Sequence, residues 1–314
     1  MARFLCTSDW HIRSKNPRYR IDDFFQTMMG KLNWMFELAK KEDCSAILHG
    51  GDFFDSPDQK NSTKIEIAKL LLRYKIPIYA VAGQHDLIHR RFFNTALALF
   101  QTFGGVNILD GELKTDTCIP CIDNSGHYNV NLYGASWEEE IPTPEDSNAI
   151  NILAIHKMIV KEKPLWDKQV GYTKAETFLN KHKGYNLIVS GDNHHSFTHT
   201  TANQILINTG SLTRMTTAQR NHRPQVYIYN SETKKAKQYL IPTKSIDEVM
   251  DLETADEVKE KNEALEAFME GLSSDYDIEL KFEDNLKNLM IENKTDNRIK
   301  KLGNSFLEKY YEGG

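Results

Sequence analysis

Long apolar runs are missing from this chain. A membrane-crossing helix takes about 18 or more apolar residues in succession. The longest candidate, residues 65–83, is broken by Glu66, Lys69, Arg73 and Lys75. No signal-peptide pattern is visible, because Arg3 leads at once into a short strand-like run and then into acidic residues. The expectation is a soluble, cytoplasmic protein with no membrane partner. Thiols are also scarce. Cys6 and Cys44 sit in apolar, strand-like runs and read as buried thiols. Cys118 and Cys121 have CxxC spacing, but no second CxxC or nearby His pair completes a zinc site. A reducing compartment fits. Internal repeats and low-complexity runs are absent as well.

What is present suits a globular enzyme-sized chain. At 314 residues, 40% hydrophobic, it is long enough for one large domain plus a small one. The net charge of −5 is unevenly spread: residues 245–314 carry 19 acidic and 9 basic side chains, net −10, which leaves +5 for residues 1–244. A mildly basic body admits a polyanionic substrate.

The first half alternates strand and helix patterns. Strands are expected at 3–7, 45–49 and 76–81, with helices from an Asp22 or Asp23 cap to about Lys41, from Asn61 to Tyr74 and from Phe92 to Phe103. This order implies right-handed crossovers and a parallel sheet. Short strands and turns follow over 106–137, then strands near 150–155, 185–190, 204–208 and 224–229. The fold class is α/β: two mixed sheets packed face to face, flanked by helices. A boundary falls near Ile241-Pro242-Thr243, giving a main domain over residues 1–240 and an acidic helical region over 241–314. One apolar stripe there is Val258, Leu265, Phe268, Met269 and Leu272, and another is Ile299, Leu302, Phe306 and Tyr310.

Polar clusters recur where strands end. Asp9-Trp10-His11, Gly51-Asp52-Phe53-Phe54-Asp55, Gly83-Gln84-His85-Asp86, His156 and Gly191-Asp192-Asn193-His194-His195 each follow an expected strand. Ligands of open α/β sheets bind at the carboxyl ends of the strands. The donors are oxygen and nitrogen without thiolate, which suits Mn²⁺, Fe²⁺, Zn²⁺ or Mg²⁺. A carboxylate such as Asp52 has two oxygens and can bridge two cations.

DxH, GDxxD, a GNH[DE]-like segment, a lone His and a GHxH-like segment, in this order over residues 1–215, resemble the calcineurin-like metallophosphoesterases. Within that group the chain is similar to the SbcD-type nuclease subunits of double-strand-break repair complexes, of bacterial and phage type. The segment His49–Ser56, Asp86 after His85, and Asn208-Thr209-Gly210-Ser211-Leu212-Thr213-Arg214 carry that narrower likeness. The resemblance implies a two-metal DNA exonuclease and endonuclease, with two divalent ions of the Mn²⁺ or Mg²⁺ kind. It implies Asp9, His11, Asp52 and His194 around one metal, and Asp52, Gln84, His156 and Asp192 around the other. His85 would stand beside the scissile phosphate and Asp86 would orient it. A coiled-coil SbcC-type ABC ATPase docking on residues 241–314, DNA as substrate and a two-fold homodimer are the implied partners.

Two positions depart from the family pattern. Its Asn is Gln84 here, and the first His of its GHxH is Asp192. Both changes fall on the second metal. They add an anion and harder oxygen donors, which favours Mn²⁺ or Mg²⁺ over Zn²⁺.

Basic residues Arg13, Lys15, Arg18 and Arg20, then His89, Arg90 and Arg91, then Arg214, lie in loops at the same sheet edge. Arg13, Arg90 and Arg214 are candidate phosphate contacts, with ordinary surface charge as the competing reading. His195 and His49 read as supporting or structural residues, and His127, His182, His199 and His222 have no context. A small-substrate phosphatase or phosphodiesterase is the alternative activity, and a non-catalytic scaffold a third.

Overall fold

The alternating apolar runs and helical stripes of the first half build one sheet and its helical cover. In the computed structural model, β1 (Arg3–Thr7), α1 (Phe24–Lys41), β2 (Ala46–His49), α2 (Asn61–Tyr74), β3 (Ile78–Ala80), α3 (Ala96–Thr102) and β4 (Asn107–Ile108) follow in order. The structure describes residues 2–109, 117–123, 126–144, 147–258, 260, 261 and 301, with the backbone alone at 117–123 and 126–128. The four strands pair in parallel, with Phe4 opposite Ala46, Ile47 opposite Ile78 and Tyr79 opposite Asn107. Helix α1 starts where the Asp23 carboxylate accepts from Gln26 N, and ends with Lys40 and Lys41 in its last turn, which favours the helix dipole. The third helix is shorter than the expected Phe92–Phe103. Thr95 holds the preceding residues in a turn by donating to Phe92 O and accepting from Ala98 N, so the helix begins at Ala96.

The second half builds the other sheet. It comprises β5 (Thr117–Asp123), β6 (Gly126–Ala135), β7 (Ile150–His156), a small pair β8 (Ile159–Val160) and β9 (Thr173–Lys174), α4 (Ala175–Lys181), β10 (Leu187–Gly191), β11 (Phe197–Thr200) and β12 (Ile205–Asn208). Finally β13 (Gln225–Asn230) and β14 (Lys235–Leu240) return to the first sheet, β13 antiparallel to β1. Among the described residues the orders are β14-β13-β1-β2-β3-β4 and β11-β12-β10-β7-β6-β5.

Side-chain alternation along strands then decides the layers. Phe4, Cys6, Ala46 and Leu48 face Ile152, Ala154, Leu187 and Val189 between the sheets. Leu5 and Ile47 point the other way, onto Met28, Leu32, Phe36, Ile67 and Leu70 of α1 and α2. Leu153, Ile155 and Ile188 cover the outer face of the second sheet with Phe178 and Leu179 of α4. Burying each of the Val, Leu, Ile, Phe and Met side chains among them contributes roughly 1.5–3 kcal/mol. The result is the expected two-sheet sandwich with helices outside.

Met1–Met250 is one compact unit and Asp251–Gly314 a second. In the second, residues 252–258 are helical. The apolar stripes over Leu265–Leu272 and Ile299–Tyr310, apart from Val258, lie outside the described residues, as do the side chains of Cys118 and Cys121. Cys6 is buried and Cys44 half-buried, both as free thiols. Among the described residues no helix is long and apolar enough to cross a membrane.

Candidate metal centre

Five strands from both sheets deliver the site. β1, β2 and β3 lead into Asp9, His11, Asp52 and Gln84, while β7 ends in His156 and β10 leads into Asp192 and His194. The loops are laced together. Asp9 N donates to Gly51 O, His11 N to Asp52 O and Ile12 N to Phe53 O, and Asp192 N crosses from the other sheet to Asp9 Oδ1 at 3.0 Å. Asp9, His11, Asp52 and Asp192 all have left-handed backbone, with φ of 50°, 46°, 55° and 78°. Such backbone costs of order 1–3 kcal/mol per residue and persists where the surroundings enforce it, typically at functional sites. Two glycines make the crowding possible. A Cβ on Gly51, whose φ is +96°, would lie 2.3 Å from His156 Nδ1, and one on Gly83 would lie 2.0 Å from Asp52 Oδ1.

Asp52 is the hub. Its Oδ2 lies 3.5 Å from His11 Nε2 and 3.4 Å from His156 Nε2. His11 Nε2 and His194 Nε2 are 3.0 Å apart, and His194 Nε2 is 3.9 Å from Asp9 Oδ1. Donor atoms of Asp9, His11 and His194 fall within 4.8 Å of one another, as do those of Asp9, Asp52 and His156, and of His11, Asp52 and His85. His156 Nδ1 faces Gly50 O at 2.8 Å, which leaves Nε2 directed at Asp52. Gln84 Nε2 donates to Asp192 Oδ1 at 3.2 Å, so the two departures from the family pattern are in contact.

These residues fit divalent cations. Asp9 Oδ2, Asp52 Oδ2, Gln84 Oε1 and His156 Nε2 are buried without a hydrogen-bond partner. Buried polar atoms are normally satisfied, so converging orphan acceptors point to a cation. The electrostatics agree. Burial raises the Asp9 carboxyl to about 6 against the opposing pull of His194 and His156. Burial lowers the His11 imidazole to about 3. Burial also disfavours a charged His156, yet Asp52, Asp9 and Asp192 outweigh it and raise the ring to about 10. Without metal, a proton on His156 answers the charge of the carboxylates.

His85 stands at the mouth, exposed, with its backbone N–H donating to Asp52 Oδ1 and its ring Nδ1 facing Asp55 O at 2.9 Å. Asp86 takes a different part from the expected one of orienting the His85 ring. It is fully buried, and its oxygens accept from Phe53 N, Phe54 N and Gly83 N, tying the second loop to the third. The His85 ring is instead placed by the Asp55 carbonyl.

Further residues support the site. Trp10 is fully buried against Phe36, His49 and Phe53, with its Nε1–H donating to Thr7 Oγ1. His49, neutral because burial lowers it to about 3, accepts from Gly51 N. Asn208 Nδ2 donates to Asn193 O and His195 O, and Ser211 N to His194 O, so the 208–214 segment shapes the loop holding His194. Position inside an apolar strand was the available signal for His49; nothing flagged His222, whose ring bonds Ser211 O. Among the candidate phosphate contacts, Arg13 is held beside the cluster by Asp55 at 2.8 Å. Arg90 pairs with Glu138 over Trp137, and Arg214 is buried and bonds Lys244 O. Arg20 is likewise buried, on Asp22.

A family model for calcineurin-like phosphoesterases matches residues 2–196. Among curated proteins, the DNA double-strand break repair protein Mre11 of Sulfolobus acidocaldarius is 26% identical over 174 residues, 50% of this chain and 41% of the relative. The Mre11 of Methanosarcina acetivorans is 28% identical over 199 residues, 61% of this chain and 30% of the relative. The chain thus spans less than half the length of these relatives. Among solved structures, TT1561 of Thermus thermophilus aligns with 77% of this chain and 99% of its own, at 11% identity and a TM-score of 0.46. An archaeal phosphodiesterase aligns with 76% and 99%, at 12% identity and a TM-score of 0.39. The family match covers more than half of the sequence, and the chain belongs to the calcineurin-like phosphoesterases, a family of metal-dependent phosphoester hydrolases.

Proposed function

We propose that this hydrolase is a Mn²⁺-dependent DNA nuclease, acting as exonuclease and endonuclease with an SbcC-type ATPase in DNA repair, recombination or replication. The observation that carries this reading is the exposed His85 above the Asp9–His11–Asp52–His156–His194 cluster, buried except for the half-buried His194, with Arg13 at its rim. Its DNA arm rests on the likeness to proteins named for double-strand break repair.

Asp9, His11, Asp52 and His194 would hold one cation, and Asp52, Gln84, His156 and Asp192 the second. When bound, two such cations activate water and neutralise the charge that develops on the phosphoryl group. The chain's own residues do the rest. The Asp55 carbonyl holds the His85 Nδ1–H, which leaves Nε2 to present a proton to the departing 3′-oxygen. Arg13, braced by Asp55, meets a phosphate oxygen. Gln84 and Asp192 act as a matched pair whose oxygens favour Mn²⁺ or Mg²⁺. The acidic region over 241–314 is the docking element for the ATPase, and the nuclease pairs as a two-fold dimer.

The test is an assay on end-labelled duplex and hairpin DNA, with and without Mn²⁺ and a co-purified ATPase. Mn²⁺-dependent release of nucleotides, lost in His85→Ala, is expected. Activity confined to small esters such as p-nitrophenyl phosphates would replace this reading with the small-substrate one.

A further inference from the structure

Three cations are packed together behind the 208–214 segment. Arg20, Lys31 and Arg214 are 7%, 6% and 6% exposed. Arg20 is fully answered: its Nε and Nη2 grip both oxygens of Asp22, and Nη1 donates to Arg214 O. Among the described residues Lys31 has only the carbonyl of Leu212. Arg214 donates through Nη2 to Lys244 O, and its Nε is buried without a partner. Among the described residues neither Lys31 nor Arg214 has a carboxylate within ion-pair distance. Burying a guanidinium costs several kcal/mol unless an anion or a full set of acceptors answers it. Burial, with Arg20 and Arg214 nearby, lowers Lys31 to about 7, the same unmet demand seen from its neighbour.

Arg214 lies in the wall of a groove of about 580 Å³. Arg220, His222, Arg223 and Lys244 also line it, and among the described residues no Asp or Glu does. Arg223 and Lys244 are exposed and form no ion pair among the described residues. The floor is rigid. His222 bonds Ser211 O, and Gln219 bonds Ser211 Oγ and accepts from Met215 N and Thr216 N. The same Ser211 donates its N–H to His194 O. The groove and the metal cluster therefore flank one short segment of chain.

We infer that this groove is a second, non-catalytic site that binds a phosphate of the DNA backbone, with Arg214, Arg223 and Lys244 as its cations. The inference rests on the nuclease reading and adds a contact outside the metal centre. A guanidinium in the groove wall suits a phosphate oxygen, and the exposed Arg223 and Lys244 beside it suit a backbone that runs on.

The experiment uses the full chain with Mn²⁺ and a fluorescent duplex with a phosphorothioate backbone, which keeps its charge and resists cutting. Affinity is read by anisotropy from about 50 to about 200 mM salt, a range over which phosphate contacts weaken steeply. Arg223→Ala/Lys244→Ala is expected to lower the slope of log K against log salt by about 0.9 for each phosphate charge left without its cation, equally for all sequences. Its turnover of bis-p-nitrophenyl phosphate stays at the wild-type value, as does its melting temperature. Arg223→Glu/Lys244→Glu is expected to weaken binding further. If the wild type binds and the alanine variant keeps its slope, the groove takes no backbone phosphate and the inference falls while the nuclease reading stands. If the wild type neither binds nor cuts DNA yet hydrolyses the small diester, both fall.

Discussion

Asp86 offers the sharpest test of how the site is held. Its carboxylate is completely buried and accepts from Phe53 N at 3.0 Å, Phe54 N at 2.9 Å and Gly83 N at 3.0 Å. Asp86→Ala leaves three buried donors without an acceptor. Each costs about 1–3 kcal/mol, so the loss should reach at least about 3 kcal/mol. For a unit of this size that is a fall in Tm of roughly 6–12 °C. Asp86→Asn behaves differently. One amide oxygen can still serve Gly83 and Phe53, while the amide NH2 meets the Phe54 N–H, so about one bond is lost, roughly 1–3 kcal/mol. Removing the charge gives part of this back, because burial and the Asp52 charge hold Asp86 up at about 7. The alanine variant should therefore be clearly less stable than the asparagine one. Both should lose more turnover than stability accounts for, since the clamp joins the loop of Asp52 to the loop of Gln84 and His85. Thermal and urea unfolding followed by circular dichroism, beside turnover of a small diester, measures both. An alanine variant within about 1 kcal/mol of wild type would refute the assignment of this carboxylate as a three-way clamp, given the cost of even one orphaned donor.

Other outcomes follow from the same geometry. Gly83→Ala places a Cβ where Asp52 Oδ1 now lies, 2.0 Å away, so Mn²⁺ affinity should drop at least about tenfold by calorimetry, with the protein still folded by circular dichroism. The pH profile of stability has a definite sign at His222. Burial lowers its ring to about 4, whereas in the unfolded chain it takes up a proton below about 6.5. The unfolded state then binds more protons between these values, so stability is lost as pH falls from 6.5 toward 4, by about 1–2 kcal/mol at pH 5. His222→Asn should flatten that part of the urea-midpoint profile, and an unchanged profile would contradict a neutral, half-buried ring. His11 and His49, both lowered by burial to about 3, add the same sign in the metal-free protein.

Much of the fold was legible because periodicity dominates it. β1 and α2 fall on their expected bounds, and the Asp23 cap starts α1 where a side-chain acceptor precedes an apolar stripe. The limits were local. Phe92–Thr95 looked helical by its apolar spacing, but the Thr95 hydroxyl competes with the backbone for that turn. At the site, residue types in strand-end order pointed to Asp9, His11, Asp52, His156 and His194, which the fold brings together. Sequence spacing carries no information on which way a side chain turns within a loop. Asp86 therefore looked like a partner of its neighbour His85, whereas the turn at Gln84–Asp86 points it inward to three N–H groups. Arg214 likewise sits near the metal motif in sequence, yet its guanidinium lies in a separate groove.

The proposed centre would hold two cations, with Asp52 shared between them and the Gln84–Asp192 pair on the second. Calorimetric titration of the full chain with Mn²⁺, checked by anomalous scattering from crystals, tests it most directly. The account predicts two ions per chain, with Gln84→Ala/Asp192→Ala binding one and Asp52→Asn losing tight binding of both. One ion per wild-type chain at saturating Mn²⁺ would contradict it.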